Sequence, residues 1–95
     1  MTNESYNGWT NYETWLVNLW IDNEPYWNEY ARNLAVDESE AGELALLLKD
    51  MIETSGEQSG QLPETGLFAD LINGALNVTN WREIASHLIN EVRGA

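Results

Sequence analysis

The chain has 95 residues, with sixteen Asp and Glu against four Lys and Arg and a formal net charge of −12. This length supports one hydrophobic core and one domain, residues 1–95, and the charge excludes a basic footprint for direct nucleic-acid binding. With no Cys and one His, disulfide frameworks, thiolate zinc sites, thiol nucleophiles and multi-histidine metal centres are excluded, so no metal or cofactor is expected.

Thr10-Asn11-Tyr12 and Thr79-Asn80-Trp81 are alike, each setting capping residues just before an aromatic, and both read as helix starts. At the first, Thr10 with Glu13 forms a capping-box pattern. Tyr12, Trp15, Leu16, Leu19 and Trp20 follow at helical spacing and predict one broad core face, leaving Glu13, Thr14, Asn18 and Asp22 as the polar strip. Val17 and Ile21 spread apolar character further round, so this helix is expected to pack on more than one side. Asn23 before Glu24-Pro25 signals a second helix running to about Val36, because Pro suits a first turn where its missing N–H costs nothing. Trp27, Tyr30, Ala31 and Leu34 form its core face.

Asp37-Glu38-Ser39-Glu40 places capping groups and negative charge at the positive end of a third helix, extended to about Thr54. Ala41, Leu44, Ala45, Leu48, Met51 and Ile52 share one arc, whereas Glu40, Glu43, Asp50, Glu53 and, in a longer helix, Glu57 gather on the other. Leu46 and Leu47 fall outside the apolar arc. Ser55 to Pro63, rich in Gly, Ser and Gln, reads as a surface loop. A fourth helix is predicted from Glu64 or Thr65, with Leu67, Phe68, Leu71, Ile72 and Ala75 inward and Asp70 and Asn73 outward. Asn80 with Glu83 repeats the capping box, and Trp81, Ile84, Ala85, Leu88, Ile89 and Val92 form a regular stripe to about Arg93, closed by Gly94. No strand alternation exceeds four residues, so the expected fold is all-α, a compact bundle of about five short helices.

Sixteen carboxylates make adjacent acid pairs unavoidable, whereas acid–base catalysis needs one carboxyl held neutral beside one held charged. No catalytic residue is assigned. Glu83, His87 and Glu91, four apart on one helix, offer three ligands to a divalent metal, but a surface histidine flanked by acids is the commoner meaning of that spacing. No Walker loop, nucleotide fingerprint, nucleophile elbow or calcium loop is present, and a non-enzyme is expected. Trp9, Trp15, Trp20 and Trp27 lack the cationic groove of a base-stacking platform. The last three are expected in the core where the first two helices meet, and Trp9 as a bundle cap or partner contact. The longest aliphatic run, Leu44 to Leu48, is far short of the ~20 residues that cross a bilayer, and four cations attract an anionic membrane surface little. Met1 to Glu4 lack the basic start of a signal peptide, and the chain is expected in the cytoplasm.

Asn7-Gly8-Trp9-Thr10-Asn11-Tyr12-Glu13-Thr14-Trp15, continued by Leu16 to Glu24, resembles the opening of a small domain family of unknown function associated with phages, plasmids and integrated elements of bacteria and archaea. Asn80-Trp81-Arg82-Glu83-Ile84-Ala85 is similar to that family's second signature. The resemblance covers about the first quarter of the chain and this later segment, and it carries over no catalytic residue. It implies a mobile genetic setting, in which small acidic proteins antagonise host defence, and for a phage protein the cytoplasm of the host. Carboxylates along a helix imitate the phosphate track of nucleic acid, whose duplex carries a negative charge every ~1.7 Å. Together these give the leading expectation: a non-enzymatic inhibitor of a host nucleic-acid-binding complex of the CRISPR-effector or restriction-enzyme type. Glu40, Glu43, Asp50, Glu53 and Glu57 are its expected partner-binding residues. Trp9, Glu13, Asn18, Asp22, Leu46 and Leu47 are its secondary contacts. The widely apolar first helix and the leucine pair add an expectation of a self-association surface, as in a homodimer, or of a hydrophobic partner contact. The alternative is a small acidic structural or regulatory interaction module whose charge serves only solubility.

Overall fold

Residues 6–94 are described by a computed structural model, so the reading of Met1 to Glu4 lies outside the described residues. Among the described residues five helices follow in chain order: α1 (Tyr12–Asn23), α2 (Pro25–Asp37), α3 (Ala41–Gln58), α4 (Leu67–Val78) and α5 (Trp81–Val92). Among the described residues no strand forms; a single bridge joins Tyr6 and Trp9 across Asn7-Gly8. Both residues of that turn have positive φ, 51° and 89°, the conformation a tight Asn-Gly hairpin needs. The all-α bundle read from the sequence is the observed fold, and no described helix is long and apolar enough to cross a membrane.

The regular stripes of α3 and α5 meet as their spacing predicts, and this is the broadest helix contact in the molecule. Leu44, Leu48, Ile84, Ala85 and Leu88 are buried there, with Ala31 and Ala35 of α2 closing one side. Each large aliphatic side chain so buried stabilises the fold by about 1.5–3 kcal/mol. Tyr30, expected on the core face of α2, is exposed instead.

Helix ends differ from the sequence reading where side chains outside the local pattern intervene. Glu24, not Asn23, caps α2, its Oε1 accepting from the N–H of Tyr26 and of Trp27 at 3.0 and 3.3 Å. α3 runs four residues past Thr54, taking Gly56 into the helix. Leu62 folds back so closely that a Cβ on Gly56 would lie 3.1 Å from its own Cβ, and Gln61 and Leu62 both donate N–H to the Gly56 carbonyl. The loop therefore starts after Gln58, and α4 starts at Leu67 rather than Glu64 or Thr65.

The two Thr-Asn-aromatic segments clasp each other. Asn11, not Thr10, caps α1: its Oδ1 accepts from the Thr14 N–H and hydroxyl at 2.9 and 2.6 Å, and its Nδ2 donates to the Val78 carbonyl at 2.8 Å. The Thr14 hydroxyl oxygen accepts in turn from the Asn80 N–H at 2.8 Å. Asn80 caps α5 by accepting from the Glu83 N–H, while its Nδ2 donates to the Thr10 hydroxyl. A capping box would return the Glu83 carboxylate to Asn80, but here it accepts from the Thr10 N–H at 3.0 Å. The residues that carry the family resemblance thus form a structural joint between the starts of α1 and α5.

That joint inverts the expected face of α1. Thr14, Asn18 and Ile21 point inward, with Val17 against the core, whereas Tyr12, Leu19 and Trp20 are exposed, Trp20 by 56%. Thr14 and Asn18 of the polar strip turn inward because Thr14 finds its partners there, while Asp22 stays exposed. α4 is rotated within its apolar arc: Ile72 packs inward and Asp70 and Asn73 stay exposed as expected, but Ala69 and Leu76 join Ile72 inside, while Leu67, Phe68, Leu71 and Val78 are 53–70% exposed and Ala75 is exposed. Its rotation is set at the corner with α5, where buried Thr79 bonds back to the Ala75 carbonyl and the Trp81 indole N–H donates to the Leu76 carbonyl at 3.0 Å. The described residues are 22 Å thin in one direction, about two helix layers, so among them no third layer covers these outer faces.

None of the four N-terminal tryptophans is fully buried. Trp15 clusters with Tyr6 and Tyr12 outside the core, ring centroids 5.1–5.7 Å apart. Trp27 is half-buried with its N–H on Ser55 Oγ, and Trp81 is the tryptophan that enters the core.

Candidate functional site

The outer face of α3 is built by the same periodicity that seats its inner face. Leu44, Leu48 and Met51 fix the helix against α5, which leaves Glu43, Asp50 and Glu57 exposed at seven-residue intervals. Two helical turns separate successive carboxylates, about 10.5 Å along the axis. Leu46 and Leu47 stand between the first two, 65% and 41% exposed. The face therefore combines ion-pair acceptors with apolar area, a chemistry suited to a basic protein surface.

Two of the expected carboxylates do other work. Glu40 is the N-cap of α3: its Oε1 accepts from the Glu43 N–H at 2.9 Å, and Arg82 stands 3.8 Å away. The backbone N–H groups of Glu43 and Gly42, assisted by Arg82, hold its carboxyl below the usual range. Glu53 is half-buried and stands off the exposed line.

Of the expected secondary contacts, Asn18 is buried and donates from Nδ2 to Asp22 at 3.2 Å, so it presents nothing to a partner. Trp9 packs edge-on against His87 at 5.2 Å and joins the core rim instead of projecting. Glu13 is half-buried, and Asp22 is exposed as a residue although its carboxyl is partly shielded from water. Partial burial and the nearby Glu91 push the Asp22 carboxyl above its usual range, opposed by His87, Asn18 and Arg32. His87 and Arg32 both reach Glu91, at 3.0 and 3.3 Å, knitting α5 to α2. Glu83, turned to the Thr10 N–H, does not converge with His87 and Glu91, and no metal-holding acid or histidine group forms among the described residues.

A second surface is formed by the exposed apolar residues of α1 and α4 and the cleft beside them; the sequence marks the widely apolar α1 as a contact surface, but it places Leu67, Phe68 and Leu71 of α4 inward and gives no sign of the cleft. The available signal was that both helices carry apolar residues on opposite sides of their wheels, more than one buried face can use.

Residues 2–92 match a family of unknown function (DUF7249), and the chain belongs to that family. The match includes the middle of the chain, between the two clasped segments. No curated protein and no solved structure matches it.

Proposed function

We propose that this family member is a non-enzymatic inhibitor that docks the outer face of α3 on a host nucleic-acid-binding defence protein of the CRISPR-effector or restriction-enzyme type. The observation that supports this most is the exposed line of Glu43, Asp50 and Glu57 with Leu46 and Leu47 between them. Lys and Arg that grip phosphates grip carboxylates by the same charge-assisted bonds. The ~10.5 Å interval exceeds the ~8 Å screening length at physiological salt, so each carboxylate meets its own cation. The face is thus three separate anchors, sparser than a duplex's phosphate track, and the leucines add contact area that nucleic acid does not offer. The mobile genetic setting implied by the motif resemblance supplies the class of target.

A second reading, charge that serves only solubility, is favoured by the uncovered stripe of Leu67, Phe68, Leu71 and Val78. A net charge of −12 keeps copies bearing such a stripe apart. The two are separated by offering the immobilised chain purified restriction enzymes and CRISPR effectors at ~0.15 M salt, with and without competing duplex DNA. Capture that duplex DNA displaces supports the inhibitor. No capture, with unimpaired immunity in cells expressing the chain, overturns it in favour of the solubilising reading.

A further inference from the structure

A cleft of about 750 Å³ opens where the end of α1, the start of α2, the end of α3 and the inner side of α4 meet. That volume lies within the ~300–1,000 Å³ of ordinary binding clefts. Its apolar wall includes Ile72 and Leu76, and Trp20, Tyr26 and Trp27 line it with aromatic rings. Trp20 and Tyr26 are 56% and 67% exposed, large apolar surfaces left in water. Internal bonds hold the lining in place. Trp27 is fixed through its N–H to Ser55, Glu24 through the two N–H groups it caps, and the far wall through the close contact of Leu62 with Gly56.

The electrostatics of the cleft have one sign. Glu24 lines it, and the adjoining hollow, which shares Leu62, adds Glu57 and Glu64. The chain's four cations lie elsewhere: Arg32 is paired with Glu91, Arg82 stands by Glu40, Lys49 reaches Asn77, and Arg93 follows α5. We infer that the cleft is a docking site for a basic amphipathic helix of a partner protein, with aliphatic anchors seated among Trp20, Tyr26 and Trp27 and Lys or Arg facing Glu24, Glu57 and Glu64. A helix suits a mainly apolar lining because its backbone groups are already bonded, whereas an extended peptide would bring unpaired ones. A second copy of this chain is a poor occupant, since it repeats the −12 charge and its dispersed cations form no basic helix. Through the adjoining hollow the cleft shares Glu57 with the α3 face, and its remaining lining is separate from that face.

The test is fluorescence anisotropy of a labelled synthetic helix of leucine and lysine, titrated with the full chain. Controls are a Leu/Glu helix of the same pattern and a Lys/Ser peptide of the same charge. Saturable binding of the Leu/Lys helix alone is expected, weakened about tenfold or more by Trp20→Ala with Tyr26→Ala, as loss of aromatic anchors does at interfaces. Both residues are exposed, and circular dichroism of the double variant verifies its fold. Glu43→Lys with Asp50→Lys should keep the binding within about threefold, the remaining effect being long-range charge. Equal binding of the Lys/Ser peptide, unchanged binding by the aromatic double variant, or loss of binding in the α3 variant each overturns the inference. The assay contains no nucleic-acid-binding protein, so its failure leaves the capture result untouched.

Discussion

Thr14→Val exchanges a hydroxyl for a methyl of nearly the same volume at a fully buried position. It removes the donor to Asn11 Oδ1 and the acceptor of the Asn80 N–H, the bond that ties the start of α5 to α1 across 66 residues. A lost hydrogen bond costs about 1 kcal/mol and an N–H left unpaired in this half-buried joint about 1–2 kcal/mol, against which the added methyl returns ~0.8 kcal/mol. The expected net loss is about 2 kcal/mol, or roughly 8–16 °C in Tm for a domain of this size. That is a large share of the ~5–15 kcal/mol that holds such a domain together. Thr14→Ser, which keeps the hydroxyl, should lose less than the valine variant. Thermal and urea unfolding followed by circular dichroism measure both. A valine variant within about 0.5 kcal/mol of wild type, the usual range for an exposed position, would refute the inward polar clasp and restore the outward strip.

Two further outcomes follow from the packing and charge. Ile84→Ala, in the α3–α5 core, should cost about 2–5 kcal/mol, whereas Leu71→Gln on the uncovered side of α4 should stay within about 0.5 kcal/mol; similar losses in urea melts would contradict the assignment of faces. Asp22→Asn should raise Tm at neutral pH, because a carboxyl held above its usual range makes the charged form a cost to the fold. As the pH falls through that raised value, wild type takes up its proton and regains the difference, so the advantage must shrink in acid; an advantage that grows there would contradict the sign.

The sequence reveals α3 and α5 well because each has one clean apolar stripe. Ala41, Leu44, Ala45, Leu48, Met51 and Ile52 pack in, as do Trp81, Ile84, Ala85, Leu88 and Ile89. The carboxylate line follows as the complement of the first stripe, and the continuation of α3 to Gln58 places Glu57 on it. α1 carries apolar residues on nearly every side, and the apolar arc of α4 is wider than the face it buries, so periodicity alone leaves their rotation open. Contacts distant in sequence decide it: Asn80 on Thr14 for α1, and the Thr79–Trp81 corner for α4. The cleft was invisible for the same reason, since its lining comes from four helices and a loop whose fold-back depends on Leu62 meeting Gly56.

The α3 reading is tested most directly by a DNA-cleavage assay with a captured nuclease, comparing wild type with the Glu43→Lys, Asp50→Lys, Glu57→Lys triple variant across a salt series. All three positions are exposed, so an unchanged circular-dichroism melt is expected for the triple variant. Wild type is expected to block cleavage, with potency falling as salt rises, and the triple variant to leave cleavage intact at every salt concentration. A well-folded triple variant that inhibits as strongly as wild type would contradict the α3 reading.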